Sequence, residues 1–275
     1  MSALDRLRWT AGLSVLSYGL RVGIRVTDPS VLARVRERLP PGWRATRSRR
    51  VQRLFSVVVG GEGARRGLRR LHLVYDDATR VARTASFDEA LGALENTLGL
   101  YVAEWARRRL FVHAGVVAWR SHVIVIPGRS HSGKSRWVEA LVKAGATYYS
   151  DEYAVLDETG RVHPFPVPLS RRDDANGPTR RIPHGEIGIR PGVRRLPIGL
   201  IAVSSYREGA RWRPRQISAG QGALALLANC VPARQRPFEA LAVLSRAVAT
   251  ATVLKGRRGE AEEAARSLLA RADWP

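Results

Sequence analysis

The run Gly128-Arg129-Ser130-His131-Ser132-Gly133-Lys134-Ser135 has residue types and spacing suited to wrapping a polyphosphate. It fits the pattern G-x-x-x-x-G-K-[ST]. Its glycines let the backbone curl so that amides point inward at phosphate oxygens. The amino end of a following helix adds partial positive charge. Lys134 would reach the β- and γ-phosphates, and the Ser135 hydroxyl would ligate Mg²⁺. His131, inside the loop, reads as a spacer. The chemistry expected is that of a nucleoside triphosphate with Mg²⁺, ATP being the natural choice. Two further features stand at suggestive distances: His113 lies 21 residues before Lys134, and the pair Asp151-Glu152 begins 17 residues after it. In an open α/β sheet, ligands bind outside the carboxyl ends of the strands. An acid at the end of the next strand would therefore return to the phosphates.

Those positions require particular elements around them. Leu110 to Trp119 reads as a strand, Arg120 to His122 as a tight turn, and Val123 to Ile126 as a strand apolar on both faces. Ser135 to Ala144 reads as a helix, and a strand runs through Tyr148-Tyr149. Tyr153 to Leu156, a turn at Glu158 to Gly160, and Val162 onward continue the sheet. Pro164 to Pro183 is rich in Pro, Arg, Asp and Gly without periodicity and reads as a loop over a site. Ile198 to Ser204 and Thr250 to Leu254 read as strands. Ala219 to Cys230, Pro237 to Ala249 and Glu260 to Ala272 read as helices. Before this, residues 1–104 read as a small α+β region. Tyr18 to Val26 alternates as a strand does, Asp28-Pro29 opens a helix, and Phe55 to Val59 and Leu71 to Tyr75 are further strands. Gly60 to Gly63 reads as a turn or loose loop. Ser86-Phe-Asp-Glu89 has the form of a capping box opening a helix to about Arg109, with Leu91, Leu94, Leu98, Tyr101, Val102 and Trp105 on one face.

Three segments together, Val112-His113-Ala-Gly-Val-Val117, the loop Gly128 to Ser135, and Ser150-Asp151-Glu152, resemble the catalytic domain of the HPr kinase/phosphorylase family. The match covers about residues 105 to 160, with a weaker likeness at Gly185-Glu186-Ile-Gly-Ile189. The resemblance implies an α/β P-loop kinase domain of the HPr kinase and phosphoenolpyruvate carboxykinase type over 105–275. It implies that Asp151 takes the proton from a serine hydroxyl. It also implies that Glu152, where the family usually has Asp, lies near the metal, and that His113 lies close to the transferred phosphoryl group. Glu186 would be a second metal contact. The family carries an Arg after its Glu-Ile pair, whereas Ile187-Gly188 follow Glu186, which counts against the reverse, phosphorolytic reaction. The first hundred residues do not match the family's usual N-terminal domain, so the chain looks more like its shorter relatives. The reaction chemistry independently asks for these types. A serine hydroxyl needs a carboxylate in reach, and γ-phosphate charge needs Mg²⁺, a lysine and loop amides. The expected function is ATP-dependent transfer to a serine of a protein or peptide. Alternatives are a small-molecule kinase of the same fold, or a nucleotide-gated regulatory module, against which Asp151 counts because a switch needs no base.

Composition bounds the rest. The chain has 275 residues, long enough for a sizeable core. Its net charge is +22, but the only lysines are Lys134, Lys143 and Lys255, and the arginines are spread along the whole chain. That dispersion argues against a nucleic-acid partner, while an acidic or phosphorylated one fits arginine well. The one cysteine, Cys230, excludes an intrachain disulfide and suggests a reducing, cytoplasmic setting. The apolar stretch Trp9 to Leu20 is too short to cross a bilayer, so no membrane partner is expected. The family's oligomers make a homo-oligomer an expectation, although no heptad pattern is visible.

Overall fold

The computed structural model describes residues 4, 7–48, 50–60, 71–128, 132–171 and 180–270. The chain divides into two compact units, 1–107 and 108–275. Both are mixed α/β.

The first unit contains β1 (Ala11–Ser17), β2 (Leu20–Val26), α1 (Leu32–Arg36), β3 (Arg44–Ala45), β4 (Arg53–Val58), β5 (His72–Asp76), β6 (Thr79–Thr84) and α2 (Phe87–Trp105). Its sheet has the order β3-β1-β2-β4-β5-β6, antiparallel except at β2–β4. The stretch Trp9 to Leu20 proves to be a strand and its turn. Tyr18 and Gly19 take positive φ values of 47° and 84°, so β1 folds back on β2 where one strand beginning at Tyr18 was expected. Asp28 caps as anticipated, accepting from the Ser30 amide. Half of the capping box forms: Ser86 accepts from the Glu89 amide, but the Glu89 carboxylate bonds the Thr84 hydroxyl instead of returning to Ser86. Thr84 then accepts from the Ser86 amide itself. Trp105, expected on the apolar face of α2, is exposed. Gly61 to Gly63 lie outside the described residues.

The second unit contains β7 (Leu110–Trp119), β8 (His122–Pro127), α3 (Lys134–Lys143), β9 (Thr147–Ser150), β10 (Tyr153–Leu156), β11 (Val162–His163), β12 (Leu169–Arg171), β13 (Arg180–Ile182), β14 (Ile198–Tyr206), β15 (Arg215–Gln216), α4 (Ala219–Leu227), α5 (Pro237–Val248), β16 (Thr252–Arg258) and α6 (Ala261–Ala270). The main sheet runs β11-β10-β7-β8-β14-β16-β15, with β9 also paired to β7. Strands β8, β14 and β16 are mutually parallel, while β7 is antiparallel to β8. Side chains alternate between two cores, as the strand period requires. Val123, Val125 and Ile201 face the core that includes α4 and α5; Ile124, Ile126 and Leu200 face the one that includes α3 and α6. The sheet is thus covered on both sides, which is why β8 is apolar from Val123 onward. The segment Pro164 to Pro183, expected as a loop, contains the antiparallel pair β12 and β13, and a 3-10 turn, His184–Ile187, follows it. Among the described residues, no helix is long and apolar enough to cross a membrane.

Candidate functional site

The site lies where β8 ends. Ala114 of β7 pairs with Pro127, so the first residues of β7 run past the carboxyl end of β8. His113 sits there, and its carbonyl accepts from the Gly128 amide at 3.2 Å. The other edge of β7 serves two strands in turn: β10 pairs with Leu110 to His113, and β9 with Val116 to Ala118. Between them the chain bends at Asp151-Glu152. Ser150 Oγ accepts from the amides of Glu152 and Tyr153 at 3.1 and 3.0 Å, and the Glu152 carbonyl accepts from the Ala114 amide. This side chain-to-backbone turn holds Asp151 beside the start of β7. The structure therefore brings His113, Gly128 and Asp151-Glu152, far apart in sequence, to one edge of the sheet.

Lys134 opens α3 with its side chain buried. Burial lowers its pKa, and the negative charges of Asp151 and Glu152 push the other way. Asp151 is buried and Glu152 exposed. Burial, and then the Lys134 charge, hold His113 below the usual histidine value, against a hydrogen bond to the Glu152 backbone that raises it. Its ring lies 4.7 Å from that of Tyr153. The Tyr148 hydroxyl is 3.2 Å from Asp151 Oδ1 and 2.8 Å from the Val167 carbonyl, which His184 Nε2 also contacts at 2.9 Å. Burial first, then the Asp151 charge, raise the Tyr148 pKa well above its usual value. Tyr148 and His184 rings are 4.9 Å apart, so the 3-10 turn bearing Glu186 packs near the same acid. The Glu186 side chain is exposed.

Of the loop, Gly128 and Ser132 to Ser135 are described; Arg129, Ser130 and His131 lie outside the described residues. Gly133 has φ +78°, a left-handed conformation that favours glycine. It caps α3 without a side-chain hydrogen bond to the first turn. Spacing alone does not point to the residue behind it. Arg258, the last residue of β16, is buried, and its Nη2 donates to the Ser132 and Gly133 carbonyls at 3.3 and 2.9 Å. Nη1 donates to the Gly259 carbonyl at 3.2 Å, and the guanidinium stands over Trp137 at 5.4 Å. A Cβ at position 133 would come 2.3 Å from Nη2. In a trans peptide the C=O and the next N–H point in opposite directions. Holding the Ser132 and Gly133 carbonyls against β16 therefore turns the Gly133 and Lys134 amides away from it. The only sign in the sequence is an Arg closing a strand, and Arg257-Arg258 gives two candidates.

Among the described residues, no group of three or more His, Cys, Asp and Glu side chains is arranged to hold a metal. A nucleotide-borne Mg²⁺ needs fewer protein ligands, one or two carboxylates or hydroxyls plus phosphate oxygens. The Ser135 hydroxyl and the acids at 151–152 are of that kind. Cys230 is buried, and its thiol is pushed up to about 12 by that burial. No protein-family model matches the chain, and no curated protein shows significant similarity to it.

Proposed function

We propose that the second unit is an ATP-dependent kinase that transfers the γ-phosphoryl group to a serine hydroxyl of a protein or peptide. The observation that carries this reading is the convergence of the Asp151-Glu152 bend and the phosphate loop on the start of β7: the Gly128 amide donates to the His113 carbonyl at 3.2 Å and the Ala114 amide to the Glu152 carbonyl at 3.1 Å. A loop, a lysine and a carboxylate at one sheet edge are what phosphoryl transfer to an alcohol requires. The mixed α/β architecture, with a helix following the loop at the end of β8, supports this reading; the P-loop kinase fold of the HPr kinase type is what the resemblance of the motifs implies.

In this reading the serine oxygen attacks the γ-phosphorus, its proton passes to the Asp151 carboxylate, and the bond to the β,γ-bridging oxygen breaks to release ADP. Lys134 and the amides of Gly133 and Lys134 neutralise charge on the phosphate oxygens. Ser135 and Glu152 would hold Mg²⁺, with Glu186 a further contact, and that ion would supply charge neutralisation between the β- and γ-phosphates. His113, kept neutral and giving its one N–H to the Glu152 backbone, presents an accepting nitrogen rather than a positive charge. The lone buried cysteine is in keeping with a cytoplasmic protein.

The test is transfer from γ-labelled ATP to a panel holding a serine-containing carrier protein, serine-ended peptides and free serine. Label on a protein or peptide, lost in Asp151→Asn while ATP binding survives, supports the proposal. Label on free serine alone points to the small-molecule kinase. ATP binding with no transfer, unchanged by Asp151→Asn, points to the regulatory module.

A further inference from the structure

Beyond the phosphate loop, on the side away from Asp151, β14 and β16 run parallel to β8 and end at the same edge, at Tyr206 and Arg258. Tyr206 is 54% exposed, at the end of a strand that is buried from Ile198 to Ala202 and emerges toward solvent over its last residues. The Arg258 guanidinium carbon lies over its ring, 5.5 Å from the centroid. The same guanidinium holds the Ser132 and Gly133 carbonyls, so ring and loop are tied to one rigid group.

The backbone around Tyr206 is held as well. The Arg207 amide donates to the Arg258 carbonyl at 2.9 Å, and the Ala210 amide closes the next turn on Arg207 at 3.1 Å. Gly259 lies so near that turn that a Cβ there would come 2.2 Å from the Ala210 carbonyl oxygen. The Tyr206 hydroxyl donates to Glu260 Oε1 at 3.4 Å. An exposed aromatic ring with both flanking strands fixed has lost its freedom before any ligand arrives.

A bound triphosphate has two ends. Its γ end must face Asp151, on the β7 side of β8. Its nucleoside end then leaves toward β14, the other neighbour of β8, and β16 beyond it. From these observations, and resting on the nucleotide reading above, we infer that Tyr206 is the platform on which the nucleobase stacks, with Arg258 linking the platform to the phosphate loop. Stacking on an aromatic side chain suits any base, because each presents a π-face.

The experiment compares Mg-ATP with inorganic tripolyphosphate, which has the phosphates and no base, by titration calorimetry on the full chain. Tyr206→Ala should weaken ATP by about 5- to 100-fold and leave tripolyphosphate within about twofold of the unmodified protein. Tyr206→Phe, which keeps the ring and loses the Glu260 contact, should retain ATP affinity. Unchanged ATP affinity in Tyr206→Ala overturns the inference. So does an equal loss of both ligands, since that marks damage to the loop instead of lost stacking. Failure of the unmodified protein to bind either ligand would instead remove the nucleotide reading itself.

Discussion

Arg258→Met is the sharpest probe of the phosphate loop. The methionine keeps an unbranched apolar stem against Trp137 and removes the donors to the Ser132, Gly133 and Gly259 carbonyls. Hydrogen bonds from a charged donor contribute about 1.5–3 kcal/mol each, so the two to the loop set an upper bound of about 6 kcal/mol. Two features bring the effect below it. Ser132 is exposed and Gly133 half-buried, so water can replace the lost donors. Arg258 Nε has no hydrogen-bond partner among the described residues, so deleting the cation also removes a desolvation penalty. The remaining effect is the freedom regained by two peptide planes, about 1–2 kcal/mol per residue. That freedom must be lost again when phosphate binds. At about 2–4 kcal/mol for the two, the expected result is about 30- to 1,000-fold weaker binding of ATP and tripolyphosphate alike. Thermal stability should fall by less than about 2 kcal/mol. Arg258→Lys, a point charge able to reach one carbonyl, should fall between. Calorimetric titration beside a thermal melt separates the two effects. Unchanged affinity for both ligands in a folded Arg258→Met protein would refute the claim that these carbonyl contacts shape the anion site.

Three other outcomes follow from the same geometry. Asp151→Asn should leave ATP affinity within a few-fold and lower kcat by about 10²–10⁴-fold, read in the labelled-transfer assay once an acceptor is known. Tyr148→Phe removes a hydrogen-bond donor to ionised Asp151, so the acid limb of the kcat/KM profile should move to higher pH; an unmoved limb would show that the hydroxyl serves Val167 alone. Asp157 is buried; burial by itself would raise its pKa, but hydrogen bonds from Thr159, His163 and the Arg161 amide hold it down, to about 2 from 3.8. Its ionised form therefore stabilises the fold above about pH 4, and that stability is lost as pH falls toward 2. Asp157→Asn should lower stability at neutral pH by about 2 kcal/mol and flatten the pH dependence between 4 and 2, as measured by urea unfolding.

Much of the second unit is legible in the sequence because its signals are local and strong. Glycine spacing, the buried run of β8 and the apolar faces of α3 and α5 each point one way. The paired approach of His113 and Asp151 follows from the order of strands and from the resemblance of the three segments, since neither residue carries a local sign of the other. The first unit reads less clearly. The alternation continues through Tyr18-Gly19 and so reads as one strand, whereas the positive φ values make it a hairpin turn. Glu89 had a nearer competitor in Thr84, which no capping pattern includes. Arg258 and Ser150 were hidden for another reason. Each acts through backbone atoms of a distant or irregular segment, and backbone groups leave no trace in residue identity.

The β7–β8 hairpin has a consequence for how the chain can change length. His113 and Gly128 are joined by a backbone hydrogen bond at the open end of the hairpin, and Arg120, with φ 54°, sits at its closed end. Counting along either arm from that bond is fixed, because a single added or deleted residue would turn every later side chain to the opposite face. His113 would then point at the α4–α5 core while Asp151 stayed where it is. The hairpin is in effect a ruler with its zero at the phosphates. Insertions and deletions are tolerable only at Arg120-Ser121, the end that measures nothing.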